Sequence, residues 1–198
     1  QQVPPQQLQQ LLGRLVAVLS VANPQSVSNT LWAAATMRQQ LPPQQLQQLL
    51  DRLEAVLSGA NPQNVSNTLW AVATMGQQLP PLQLQQLLDR LVAVLSGANP
   101  QDVSNTLWAV ATMRQQVPPL QLQQLLDRLE AVLAGAKPQE VSNTLWAVAT
   151  MGQQLPSYQL QQLLGRLVAV SSCAKPQEVS NTLWAVATMG QQLPPPQL

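Results

Sequence analysis

The chain contains no histidine, no phenylalanine, one tyrosine and one cysteine in 198 residues. With Cys173 alone and no His, neither an internal disulfide nor an ordinary structural zinc site can be assembled. A reducing compartment is thereby permitted. Charge is scarce as well: nine Lys and Arg stand against eight Asp and Glu, a formal net charge of +1. That balance excludes the strongly basic character of a non-specific nucleic-acid coat, so any contact with RNA or DNA has to come from local placement. No apolar run approaches the ~20 residues that span a bilayer, and no membrane partner is expected. The chain also lacks a Gly-rich phosphate loop, a metal-ligand cluster and a carboxylate pair in an irregular context. It is therefore expected to be no enzyme and to need no cofactor or metal.

What is present is a repeat. Hydrophobic residues make up 45% of the chain and Gln fills much of the polar remainder, which is too apolar for a disordered Gln-rich tract. The tetrapeptide Val-Ser-Asn-Thr begins at Val27, Val65, Val103, Val141 and Val179, a constant step of 38 residues. Trp32, Trp70, Trp108, Trp146 and Trp184 keep the same interval, as do the proline pairs beginning at Pro4, Pro42, Pro80 and Pro118; at Pro156 the second residue is Ser157. One phase without insertions implies a single array with units at 3–40, 41–78, 79–116, 117–154 and 155–192, and the start of a sixth at 193–198. Neither end reads as a polar capping repeat, and Gln1 opens the chain without an initiator Met. The array is expected to be an excerpt of a longer protein, with targeting information elsewhere.

Within the unit from Leu41 to Gln78, Leu46, Leu49, Leu50, Leu53, Val56, Leu57 and Ala60 follow i, i+3, i+4, i+7 spacing, the signature of an amphipathic helix. Pro43 suits its first turn; Gly59, as a left-handed cap, and Asn61-Pro62 are expected to stop it. A second helix should start with Asn61 as N-cap and Pro62 at its first position, and end at Gly76 and Pro80. Its body, with Val65, Leu69, Trp70, Val72 and Ala73, is apolar or small on nearly every side. It is expected to be sandwiched, with Ala71, Ala73 and Thr74 admitting close neighbours and Trp70 filling the groove between units. An isolated pair could not bury that surface, so the expected fold is all-α, an α-solenoid superhelix of tandem helix-turn-helix repeats.

The second helix in the form Pro-Gln-x-Val-Ser-Asn-Thr-Leu-Trp-Ala-Val-Ala-Thr-Met-Gly, as at Pro62 to Gly76, resembles the octotricopeptide repeat family, as do the proline-rich entry to the first helix and the 38-residue period. The likeness covers the whole chain. The resemblance implies an organellar protein, of the chloroplast or alternatively the mitochondrion, that binds single-stranded RNA. Its role would be stabilisation, processing, splicing or translational activation of an organellar transcript. Other proteins of a ribonucleoprotein complex are the further partners this implies.

Positions that vary between units are where a ligand could be read. On the second helix these are Ser26, Asn64, Asp102, Glu140 and Glu178, three residues before the invariant Asn29, Asn67, Asn105, Asn143 and Asn181. The two rows share a face and offer different donor and acceptor patterns to unpaired bases, one base per unit as in helical-repeat RNA readers. A structural explanation competes, because the third helical residue is where acidic and amide side chains satisfy free backbone N–H groups. Glu140 and Glu178 occur only after Lys137 and Lys175, which an i,i+3 ion pair would explain. On the first helix the variable sets are Gln6, Gln44, Leu82, Leu120, Tyr158; Gly13, Asp51, Asp89, Asp127, Gly165; and Val16, Glu54, Val92, Glu130, Val168. They form a stripe with Gln9, Gln47, Gln85, Gln123 and Gln161, which either lines a binding groove or is a solvated outer face.

Arg14, Arg52, Arg90, Arg128 and Arg166 place one guanidinium in each unit, a row that could track phosphates or be neutralised by the neighbouring Asp and Glu. Arg38 and Arg114 add charge where other units have Gly. The Trp row could stack bases, although a Trp in an Ala-rich helix usually belongs to a core. The leading expectation is sequence-selective single-stranded RNA binding. The alternative is a protein-interaction or ribonucleoprotein assembly scaffold without base readout, favoured by the near-neutral charge and Gln-rich surface. A third reading, an engineered consensus array, is opposed by scattered changes such as Ala34, Ser157, Ser171 and Cys173.

Overall fold

A computed structural model of the chain describes residues 5–190; the expected start of a sixth unit at 193–198 and Pro4 lie outside the described residues, as do the side chains of Gln6 and Gln9. Its α-helices, in chain order, are α1 (Pro5–Ala17), α2 (Pro24–Thr36), α3 (Pro43–Ala55), α4 (Pro62–Thr74), α5 (Pro81–Ala93), α6 (Pro100–Thr112), α7 (Pro119–Ala131), α8 (Pro138–Thr150), α9 (Ser157–Ala169) and α10 (Pro176–Thr188). Odd-numbered helices are the first of each unit and even-numbered the second.

Pro-Pro starts each of α3, α5 and α7: the first proline is extended, with φ −52° and ψ 138° at Pro42, and the second takes the first helical position, where a missing N–H costs nothing. The first helix ends earlier than its apolar spacing implies. At Val56 the N–H reaches both Arg52 O and Leu53 O at 3.2 Å, and the chain tightens into a three-residue 3-10 turn over Leu57–Gly59. Such a turn keeps Leu57 and Ala60 on the apolar side, so the periodicity continues through a break in the α-helix. Gly59 is not a left-handed cap: positive φ among the described glycines occurs at Gly76, Gly152 and Gly190. Val21 and Cys173 occupy the equivalent position in other units without strain.

The second helix is bounded as its sequence implies. Asn61 is extended and its side chain accepts from the Asn64 N–H at 2.9 Å, with Pro62 next. At the other end Gly76, at φ 68°, lets its own N–H reach Ala73 O and that of Gln77 reach Val72 O, both at 3.0 Å. Arg38 and Arg114 make the same turn at φ 55°, a conformation that costs a residue with a Cβ.

The even-numbered helices form the tightly packed layer: α2, α4, α6, α8 and α10 stack each on the next with extensive backbone proximity. Fully buried Ala71, Ala109 and Ala147 allow that approach, while Val65, Leu69, Val103 and Leu107 fill the space between. Each first helix leans on the second helix of the preceding unit, as α3 on α2 and α5 on α4, more closely than on its own partner. Leu49 and Leu53 of α3 and Leu88 and Leu91 of α5 are buried. The molecule is an all-α solenoid of helical repeats with one continuous core.

Candidate nucleic-acid interface

The variable row on the second helices points inward. Asn64, Asp102, Glu140 and Glu178 are buried, and only Ser26, which has no preceding unit, is exposed. Each works as the third residue of a cap. Asp102 Oδ2 accepts from the Asn99 N–H at 3.1 Å while Asn99 Oδ1 accepts from the Asp102 N–H at 3.0 Å. Where the cap is lysine, which has no acceptor, half of this arrangement survives: Glu140 accepts from the Lys137 N–H at 2.8 Å and the Glu140 N–H turns to the Lys137 backbone carbonyl at 3.1 Å. The expected i,i+3 ion pair does not form among the described residues, and Glu140 meets Lys137 through the lysine backbone. The shorter side chains also reach the preceding unit. Asn64 Nδ2 donates to Ser28 Oγ at 3.2 Å and Ser66 Oγ donates to Asp102 Oδ1 at 2.9 Å. Ser142, which precedes the Glu178 unit, is buried with its hydroxyl unpartnered. Variation here tunes how units are joined, and burial removes these four side chains from any surface a ligand could reach.

The arginine row is likewise committed to the fold. Arg52, Arg90, Arg128 and Arg166 are half-buried, and each donates its Nε–H at 2.8 Å to a backbone carbonyl of the preceding linker: Ala22, Ala60, Ala98 and Ala136 respectively. The expected neutralising carboxylates bond elsewhere. Asp51, Asp89 and Asp127 each accept from a Gln one turn earlier at 2.7 Å. Gln121 also donates to Asp89 at 2.6 Å, and Gln86 donates to Glu54 at 3.0 Å, tying adjacent first helices together. Arg14 is exposed and lacks a preceding linker. On the outer side of the first helices Leu82 and Leu120 are 70% and 73% exposed, with Tyr158 in the same register.

The invariant asparagines face solvent. Gln63, Asn67, Trp70 and Thr74, at i, i+4, i+7 and i+11, are the positions of α4 that stay exposed or half-buried. The same stripe recurs in α2, α6, α8 and α10, so each inner second helix is sandwiched between its two neighbours yet keeps one stripe open. Asn29 is exposed and Asn67, Asn105, Asn143 and Asn181 are half-buried. Asn181 accepts from Gln177, whereas the amides of Asn29, Asn67, Asn105 and Asn143 make no hydrogen bond among the described residues. The invariant Thr is different: Thr68, Thr106 and Thr144 each bond the carbonyl four residues earlier and are buried.

Three residues after each Asn stands the indole. Trp32 and Trp184 are 45% and 47% exposed, and Trp70, Trp108 and Trp146 lie half-buried with one side against the core. Trp32 and Trp70 have ring centroids 6.5 Å apart and planes tilted by 33°. The expectation that Trp70 fills the groove between units is met in part: its ring packs against the core and meets Trp32 of the preceding unit, but it keeps some surface open. The signal was present in the sequence as one polar or amphipathic residue per turn at the 63, 67, 70, 74 spacing, masked by the surrounding Ala and Val.

Charge is sorted between the two layers. Every carboxylate of the second helices is buried in a cap, and the remaining Asp and Glu sit on first helices. The exposed charges flanking the second helices are Arg38, Arg114, Lys137 and Lys175, all positive. The near-zero net charge therefore conceals a second-helix layer with no exposed carboxylate. No protein-family model matches the chain, and no curated protein matches it either. Among the described residues no cluster of three or more potential metal ligands occurs, and no helix is long and apolar enough to cross a membrane.

Proposed function

We propose that the array binds single-stranded RNA along the open stripe of its second helices. The observation that carries this reading is the pairing, in every unit, of an indole that is half-buried in the three inner units and exposed in the first and last with an asparagine amide left unbonded in most units, on a layer without exposed carboxylates. An indole supplies a stacking platform for an unpaired base, worth ~1–3 kcal/mol per base. The adjacent amide offers one donor edge and one acceptor edge to a base edge, which is the source of selectivity. Arg38, Arg114, Lys137 and Lys175 add attraction to phosphates. Asn29, Asn67, Asn105, Asn143 and Asn181 are thus the base-reading residues of the proposal. Resemblance to octotricopeptide repeats supports a chloroplast or mitochondrial transcript as target, with stabilisation, processing, splicing or translational activation as the outcome. Binding without chemistry is the role proposed, since the stripe holds no general base to activate its threonine hydroxyl.

The test uses the tryptophans themselves as reporters. Titrating the chain with a random-sequence single-stranded RNA pool should quench tryptophan emission saturably, and the affinity should fall steeply with salt. Trp70→Leu with Trp108→Leu should weaken binding by roughly tenfold or more, from the loss of two stacking contacts. Absence of any quenching and of any retained RNA at low salt would sink the reading. In that case the exposed row of Leu82, Leu120 and Tyr158 favours the second reading, a scaffold whose first-helix face holds a protein partner.

A further inference from the structure

We infer that the strand this array takes is a run of one repeated base, adenine, and not a mixed sequence. The inference rests on the RNA-binding reading above and concerns what the stripe can distinguish. Gln63, Asn67, Trp70 and Thr74 recur unchanged in every unit, in the same helical register. If each unit receives one base, identical side chains at identical positions present the same donor and acceptor pattern each time, so they select the same base each time. A mixed target needs a second-helix position that differs between units and is open to the strand. Inside the helix the position that differs chemically is the third residue, and from Asn64 to Glu178 it is buried in the cap; the exposed positions that differ, Asn61 against Lys137 at the N-cap and Gly76 against Arg114 after the last turn, flank the stripe and lie outside it. Variation inside the second helices therefore cannot be read from the stripe.

The base follows from the amide. An Asn side chain carries N–H donors beside a carbonyl acceptor, the complement of adenine N7 and N6–H, and Asn or Gln paired bidentately with adenine is the recurrent arrangement for these groups. Most of the asparagine amides are free to make that pair among the described residues. Spacing also favours a spread strand over a stacked one. The Trp32 and Trp70 centroids are 6.5 Å apart, against a rise of about 3.4 Å per nucleotide in a stacked strand. Bases held by these two units must separate, which leaves each base's edge accessible to its own asparagine.

The experiment compares oligo(A), oligo(U), oligo(C) and a mixed-sequence RNA of equal length, each end-labelled, binding to the whole chain by fluorescence anisotropy at one fixed salt. Oligo(A) should bind at least about tenfold more tightly than the mixed strand, as expected for two or more bidentate pairs. Asn67→Asp with Asn105→Asp keeps the shape of both side chains but removes the donors. It should erase the preference for oligo(A) and move the ratio toward oligo(C), whose N4–H₂ donates to a carboxylate. Asn67→Ser with Asn105→Ser should flatten the preference without that shift, and circular dichroism melts of both variants should match the parent. Equal binding of all four strands, or tighter binding of the mixed strand, would overturn the inference while leaving RNA binding in place. Preference for oligo(U) or oligo(C) by the unaltered chain would overturn the adenine assignment. Failure of every RNA to bind would overturn the RNA-binding reading itself.

Discussion

Ser66 and Ser142 occupy the same position in their units, and both are buried, yet their circumstances differ. Ser66 donates to the Asp102 carboxylate of the next unit at 2.9 Å, whereas Ser142 has no partner among the described residues. Removing the first hydroxyl deprives a buried carboxylate of a hydrogen bond, and Ser66→Ala should cost ~1.5–3 kcal/mol. Removing the second takes away a hydroxyl that loses its water on folding and gains nothing in return, so Ser142→Ala should be neutral or stabilising by up to about 1 kcal/mol. Urea midpoints of the two variants, compared with the parent, check both signs. Equal destabilisation would mean that the inter-unit bond contributes nothing. Backbone strain gives a second test at this scale. Arg38 and Arg114 sit at φ 55°, where Gly76, Gly152 and Gly190 stand in other units. Arg114→Gly should therefore raise stability by about 1 kcal/mol, seen as a higher melting temperature. It would also remove one of the exposed cations that the RNA reading uses, so affinity for RNA should fall as stability rises.

One recurring tie between a unit and its predecessor is an arginine on the first helix. Arg90 Nε–H donates to Ala60 O at 2.8 Å across the linker that follows α3. Arg90→Met keeps much of the stem but abandons the carbonyl, and should cost about 1–2 kcal/mol. Arg90→Lys should not rescue it, because lysine lacks the planar Nε–H fork. Arg14, exposed and without a preceding linker, is the internal control: Arg14→Met should stay within about 0.5 kcal/mol of the parent in the same denaturation assay. How far such features can be read from sequence depends on what local chemistry specifies. Asn61, Pro62 and Gly76 mark the second helix because each acts on its own backbone, and the structure keeps those boundaries. The break at Val56 was hidden, because a 3-10 turn satisfies the same apolar spacing as a continued helix. Arg90 looked like a surface cation because its acceptor is a backbone carbonyl in another unit, which no side-chain pattern announces. The Asp102 row looked like a reader for a related reason: its chemistry suits a cap and a base edge equally, and only burial separates the two.

An array held together by one interface used repeatedly has complementary ends. In the interior, Val141 and Leu145 are fully buried against the next unit; at the last unit their equivalents Val179 and Leu183 are 42% and 55% exposed. At the other end, Ser26 is exposed and Thr30 half-buried where Asn64 and Thr68 in the next unit are buried. The two exposed faces are the two halves of the internal interface, so a second copy of this chain can continue the stack head to tail. Such a contact is heterologous and does not close on itself. Sedimentation velocity of the isolated chain should show association that grows with concentration without stopping at a dimer. A charge placed on either half should prevent it, since burying an unpaired charge in an apolar interface is strongly unfavourable. Leu183→Lys and Thr30→Glu should each give monomer alone. Mixing those two variants should give single heterodimers and nothing larger, because the intact N-terminal face of Leu183→Lys meets the intact C-terminal face of Thr30→Glu and both remaining faces are blocked. A closed dimer of the parent, or association unaffected by both substitutions, would show that some other surface mediates it. The exposed Leu82 and Leu120 row is the next to examine, through Leu82→Gln with Leu120→Gln.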